Sequence, residues 1–462
     1  MDELLIKGGS AVFETETRKA DILVRGGKIA GIFQPGLAPD CGKTIDAGGL
    51  YVMPGAIDPH MHLGLYSDMG ESYMRDSRQQ AIGGMTTMID YHRGKGNYFE
   101  TVGAEIEAAE KNSIVDFAIS LGLCAKKHLA ELPDYVQKLG ITSFKFFFDK
   151  QDIAHTFYGI PREEALTLDK ADLYDILKLL HDIDPKLLLC VHCEDPDLFR
   201  AFLRKKQAES PDSTEVADWD AGRPDFCESN CLAGAMLING EVEGNMYAVH
   251  VSAKKSLDVY RALSGSGIGC GRVTLETCPQ YLLLDKFGAT LDAKVNPPLR
   301  GKEDNEALWE GIRNGEVLTI GTDNVPVSRA VKYEKGPSLW DVWVGFGTSG
   351  IAMPALISEG HLKRGIPLHR ISQVLSTNTA RIFNLPSKGE ISVGRDADFA
   401  IIDMEWERTI DESLFGFSDF SIYQGMTFKG WPRYTISRGA LLQKDGVVCA
   451  EPGHGRYLYR TI

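Results

Sequence analysis

The chain has 462 residues, more than one compact domain usually holds, so one large domain with a smaller companion is expected. Acidic side chains outnumber basic ones 64 to 50, and the net charge of -14 argues against a nucleic-acid surface or an anionic membrane as partner and favours a small or neutral substrate. The nine cysteines form neither a disulfide framework nor paired CxxC sites, and "MDELLIKGGS" lacks the basic and apolar regions of a secretory leader, so a cytoplasmic protein with buried thiols is expected.

Residues 1 to about 52 read as short strands broken by turns, "ELLIKGG", "ADILVRGGKIAGIF" and "KTIDAGGLYVMPG". Apolar strand-like runs then alternate with amphipathic helical stretches, the pattern of parallel strands joined by helical crossovers. The runs are "YVMPGAIDPH", "MTTMIDY", "VDFAISLGL", "TSFKFFFD", "LLLCVHCE", "MYAVHVS", "RVTLETC" and "VLTIGTD". Eight in succession predict an α/β fold, a (β/α)8 barrel. Beyond it, "KGEISVGRDADFAIIDME" and "GWPRYTISRGALLQKDGVV" return to strands and glycine turns, so the two chain ends are expected to close one β-sandwich. The expected division is 1–53 and 385–462 for the sandwich and 54–384 for the barrel.

Residues able to bind metal recur at the C-terminal ends of the barrel runs, the face on which such barrels carry their active sites. His60 and His62 close the first run, Lys145 lies in the fourth, His192 in the fifth, His250 in the sixth and Asp323 in the eighth. Each alone fits an ordinary structural role: a hydrogen-bonded histidine, or an aspartate capping the next helix. Lys145 is odder, because an amine between phenylalanines in a buried strand needs a partner or a chemical change. Chance would scatter the eleven histidines over the whole fold, yet four fall at matching strand ends beside a lysine and an aspartate. Imidazole and carboxylate suit zinc and similar divalent ions, and two ions roughly 3.5–4 Å apart can share a hydroxide while polarising a carbonyl. Such a pair needs a bridging anion, which Lys145 supplies if its neutral amine takes up carbon dioxide as a carbamate.

The ordered set "PGAIDPHMHL", "GGMTTMIDY", "SFKFFF", "VHCED", "HVS", "ETCPQYL", "KVNPPLR", "IGTDN", "STNTARIFNL" and "KGEISVGRDADFAIID" resembles the amidohydrolase superfamily over nearly the whole chain, specifically its cyclic-amide branch of hydantoinases and dihydropyrimidinases. The resemblance implies a distorted TIM-like barrel carrying two divalent metals, zinc first, with manganese and cobalt also suited to the ligands. His60, His62, carboxylated Lys145 and Asp323 would hold one metal, and Lys145, His192 and His250 the other. A hydroxide bridging the two would attack a ring amide carbonyl, with Asp323 passing the proton to the leaving nitrogen. The implied partner is a small cyclic amide, and the implied assembly a homo-oligomer, tetramer or dimer.

Departures from the family pattern concern the substrate. Hydantoinases place a tyrosine five residues after the bridging lysine; here Lys150 stands there, and Tyr158 is the candidate to replace it. Asn324 follows the aspartate where relatives usually have histidine, and His92 ends the second run on the active face. Asn296 in "KVNPPLR" is the candidate for the ring's imide edge. Dihydroorotases share that motif but carry an arginine two residues after the second histidine, where this chain has Gly64. Arg223, Glu228 and Glu276 are expected to be structural. The alternatives are a dihydroorotase, an allantoinase, an enzyme acting on an acyclic amide or a deaminase, and a non-catalytic paralogue similar to the collapsin-response mediators; retention of all six ligand positions argues against the last.

Overall fold

The computed structural model describes residues 3–94, 96–148, 152–156 and 158–462. The N-terminal strands are β1 (Glu3–Val12), β2 (Thr17–Arg25), β3 (Lys28–Phe33), β4 (Thr44–Asp46) and β5 (Tyr51–Pro54). The β2–β3 hairpin turns on Gly26 and Gly27, both at positive φ (56° and 77°), which only glycine adopts without strain at two successive positions.

Eight parallel strands follow: β6 (Ala56–Met61), β7 (Met85–His92), β8 (Asp116–Gly122), β9 (Ser143–Phe147), β10 (Leu188–His192), β11 (Asn245–Ala248), β12 (Arg272–Thr277) and β13 (Val317–Ile320). Each pairs with the next in chain order, and helices in the connections cover the outer face, so β6 to β9 are buried along nearly their whole length. The ring closes beyond the ladder, where Met61 bridges Asn324 in parallel and the His62 N–H donates to the Asn324 carbonyl at 2.8 Å. The Asn324 side chain faces away from the barrel mouth. Its amide donates to Asp76 at 3.1 Å and its carbonyl accepts from the Thr348 N–H at 2.7 Å.

The single run "YVMPGAIDPH" forms two strands in two sheets. At their junction the Gly55 N–H donates to Asp398 O and the next N–H, of Ala56, to Gly84 O, so the chain leaves one sheet and enters the barrel within one residue. A Cβ on Gly55 would stand 2.3 Å from the Thr86 hydroxyl, which is why the crossing needs glycine.

The C-terminal strands β14 (Phe399–Thr409), β15 (Thr427–Ser437), β16 (Ala440–Lys444) and β17 (Val447–Val448) join the N-terminal ones in one mixed sheet, ordered β17-β16-β15-β14-β5-β1-β2-β3 with β4 on β1. The sheet folds over on itself: the Ile29 N–H donates to Arg395 O and the Ala397 N–H to Gly27 O. Between its layers Ile6, Ile22, Val24, Phe399, Ile401 and Ile436 share one apolar core. This is the expected sandwich, drawn from both ends of the chain.

Charge joins sandwich to barrel. Buried Lys388 sits 2.6 Å from Asp116 at the start of β8, 2.7 Å from Asp398 and 3.1 Å from Asp396. Nearby, buried Arg460 of the C-terminal tail donates to the Ser143 hydroxyl at 2.9 Å and to the carbonyl of Ile119, pinning the tail across β8 and β9. Structural charge is thereby gathered at the N-terminal end of the barrel, and the opposite end is left for chemistry.

Candidate active site

His60 lies within β6, and His62 follows it by two residues, so the alternation of a strand carries both side chains to the same side. Lys145 is the middle residue of β9, registered against Gly122 and Cys190, and His192 ends β10. His250 and Asp323 stand just past β11 and β13 with φ of 42° and 52°, a left-handed conformation that non-glycine residues adopt only when their surroundings impose it.

These six side chains converge. The Nε2 atoms of His60 and His62 stand 3.4 Å and 3.1 Å from Asp323 Oδ1, and these three residues form a group of ligand atoms able to hold one metal ion. His192 Nδ1 and His250 Nε2 face each other at 2.9 Å, and the His60 and His250 rings stack 5.6 Å apart. Lys145 lies near enough to perturb the protonation of His60, His192, His250 and Asp323.

The outward nitrogens are occupied by carboxylates, which accept only. Glu276 accepts from His60 Nδ1 at 2.8 Å, from the His250 backbone N–H at 2.9 Å and from the Tyr247 hydroxyl at 2.7 Å. Glu194 accepts from His192 Nε2 at 2.9 Å and is gripped in turn by the Arg223 guanidinium at 3.0 Å and 2.6 Å. The protons of His60 and His192 are thereby fixed on the outer nitrogens, leaving a lone pair turned inward on each, the arrangement seen behind metal-ligating histidines.

The inner atoms are short of partners. Among the described residues, His60 Nε2 and Lys145 Nζ are buried without a hydrogen bond, a costly state for polar atoms that a bound cation and a carbamate would relieve. Burial holds His60, His62 and His250 well below the ordinary 6.5 of histidine, which keeps the imidazoles neutral and ligating. Burial also brings Lys145 down to about 8 and raises Asp323, the latter opposed by His60 and Lys145. The donor set therefore fits metal on its own chemistry.

Above the cluster opens a cavity of about 540 Å³ lined by His62, Lys145, His192, His250 and Asp323 together with Asn296 and Tyr158. The six ligand candidates and the two substrate candidates, Asn296 and Tyr158, are thus brought together, with His60 buried beside Asp323. Trp219 Nε1 donates to the Asn296 carbonyl oxygen at 3.1 Å, which orients that amide. Tyr158 is buried, and its hydroxyl is hydrogen-bonded to Arg93. Lys150 lies outside the described residues. His92 is spent on structure, its ring nitrogens meeting Glu105 at 2.6 Å and Thr101 at 2.9 Å.

The amidohydrolase family model matches residues 51–442. The chain belongs to the amidohydrolase family. Within it, the relatives include hydantoinases, a dihydropyrimidinase and allantoinases. A D-hydantoinase of Geobacillus stearothermophilus is 31% identical over 99% of this chain and 96% of its own. An allantoinase of Rubrobacter xylanophilus is also 31% identical, over 99% and 97%. The crystal structure of dihydropyrimidinase from Brevibacillus agri superposes with a TM-score of 0.89 at 28% identity, covering 100% of this chain and 99% of that one.

Three contributors are not evident from sequence. Glu276 reads there as structural rather than as the partner of His60, and Glu194, inside "VHCED", carries no signal of its own. Arg93 lines the cavity directly after β7, and its one signal is a cation just past a predicted strand on the active face.

Proposed function

We propose that the protein is a metal-dependent hydrolase that opens the ring of a cyclic amide of hydantoin or dihydropyrimidine type, with residues 54–384 as the catalytic unit. One observation carries this reading: six ligand-type side chains from the barrel strands meet under one cavity, with carboxylates holding the outward nitrogens of His60 and His192. In the assignment we favour, His60, His62, Lys145 and Asp323 serve one ion, and Lys145, His192 and His250 the other. Zinc is the first choice for this mixture of imidazole and carboxylate.

The lowered amine of Lys145 supports its role as bridge, since the neutral form adds carbon dioxide and sheds a proton to become a carbamate. Bound divalent ions would acidify a water and polarise the ring carbonyl. The remaining work falls to the chain. Asp323 takes the proton of the attacking water and returns it to the ring nitrogen as the C–N bond breaks, giving the ring-opened N-carbamoyl or carboxy-amide product. Asn296, its carbonyl occupied by Trp219, presents its NH2 to a ring carbonyl, and the Tyr158 hydroxyl supports the developing oxyanion.

Allantoin is the second substrate to consider, because a named allantoinase is as similar as a named hydantoinase. The dihydroorotate reading is weakened at Gly64, where φ is 67° and an added Cβ would stand 2.6 Å from the Met69 methyl. The same proposal includes a cytoplasmic homo-oligomer, tetramer or dimer. All nine cysteines are free thiols, as a reducing compartment keeps them.

The test is ring opening by protein supplied with zinc and bicarbonate, on dihydrouracil, 5-substituted hydantoins, allantoin and dihydroorotate. Turnover of either of the first two, lost on chelation and restored by metal, is expected. Turnover of allantoin alone would move the assignment to that substrate, and silence across the panel in protein carrying two metals would overturn the reading.

A further inference from the structure

The acidic balance of the chain is reversed at the cavity. Besides Lys145, its lining includes the cations Arg93, Arg200, Arg223 and Lys335, and among the described residues one carboxylate, Asp323. Some of these have evident tasks. Arg223 is committed to Glu194 through two hydrogen bonds, Lys145 belongs to the ligand cluster, and Lys335 packs 3.6 Å over the Trp343 ring.

Arg93 differs from these. It directly follows β7, the neighbour of the strand that carries His60 and leads into His62, and is half-buried, with part of its surface on the cavity. Its side chain interacts with the Tyr158 hydroxyl, a neutral group. Asp323 and Asp90 act on it through space. Asp90 is otherwise engaged, accepting the Leu63 N–H at 2.7 Å and interacting with Glu105. A guanidinium this close to the reaction centre, paired with a hydroxyl rather than a carboxylate, leaves a charge to be matched by what enters the cavity.

We propose that the natural ring substrate carries a carboxylate on a short side arm, gripped by Arg93. The inference rests on the ring-opening reading and narrows it. A planar guanidinium presents parallel N–H donors that match the two oxygens of a carboxylate. Size limits the arm, since about 540 Å³ must hold both ring and substituent. The cation comes from the end of β7. The turn after His62 supplies none, because its position 64 is a glycine in a left-handed conformation that a side chain would strain.

The experiment compares hydantoin-5-acetic acid with hydantoin-5-acetamide, which differ in charge and hardly in shape. Metal-loaded wild type, Arg93→Gln and Arg93→Lys are used. The wild type is expected to favour the acid in kcat/KM by about 10- to 100-fold, the size of a charge-assisted bidentate contact. Arg93→Gln should bring that ratio close to one, chiefly through KM for the acid, and Arg93→Lys should restore part of it. A wild-type ratio near one, or equal losses on both compounds in Arg93→Gln, overturns the proposal. Calorimetric binding of the same pair separates this failure from failure of ring opening. Tighter binding of the acid, lost in Arg93→Gln and without turnover by any form, would keep the subsite and remove the ring-opening reading. Equal affinities, or no binding of either, would remove the subsite.

Discussion

Lys145 shows how much one residue depends on its setting. An exposed lysine holds its proton firmly; this one, in mid-strand among phenylalanines and brought down to about 8 by burial, gives it up more readily, as the proposed carbamate bridge requires. Lys145→Ala should therefore lose both bound metal and turnover, with metal content measured by elemental analysis; two ions retained per chain and normal rates would refute the bridging role. Glu276 acts one step further out, on the proton of His60. Glu276→Gln keeps the shape but loses the charge that holds that tautomer, and should weaken metal affinity by about 10- to 100-fold, read by chelator competition. The residue types at the strand ends are legible from sequence because His, Lys and Asp are costly to bury, and a chain that repeats them at the ends of apolar runs must have something there to pair with them. Glu276 and Glu194 are not legible in this way, since a carboxylate becomes a partner to an imidazole only when the fold brings the two to hydrogen-bond distance.

Elements are legible in proportion to their burial. All eight barrel runs contain strands, because β-branched and aromatic runs buried on both faces have few other stable states. The first run reads as one strand and is in fact two, since the handover at Gly55 depends on Asp398 and Gly84 from distant segments. The helix Met69–Ile82 starts after Asp68, whose carboxylate accepts the Glu71 N–H and caps the first turn. Between elements, Lys388 forms a polar link with Asp116 and Asp398, each nearly fully buried. Lys388→Met would strand those carboxylates in the interior, and a loss of about 3–5 kcal/mol is expected by urea unfolding; a change below about 1 kcal/mol would mean that water reaches the junction.

At the scale of the whole molecule, the same junction sets the acid limb of stability. Burial alone would raise Asp116 and Asp396, but Lys388, joined by Arg438 at Asp116 and by Lys28 and Ser387 at Asp396, outweighs it and holds both below their ordinary 3.8. The unfolded chain therefore binds protons first as the pH falls, so this contribution is full above 3.8 and is lost below it. Asp398, raised by burial, works in the opposite sense. The wild type should thus lose stability below about pH 3.8 more steeply than Lys388→Met, as followed by melting temperature against pH; parallel curves would place the acid sensitivity elsewhere. Composition, strand periodicity and the order of ligand-type residues are properties of the sequence by itself, and they determined the barrel, the sandwich built from both ends and the face that carries the site. Those features follow from local chemistry repeated along the chain, which any window of sequence displays. Tertiary structure alone decided which carboxylate stands behind which histidine, that Asn324 faces away from the site, and that Arg93 and Tyr158 meet at its rim. Each of these is a distance between residues far apart in the chain, and only the folded barrel brings them together.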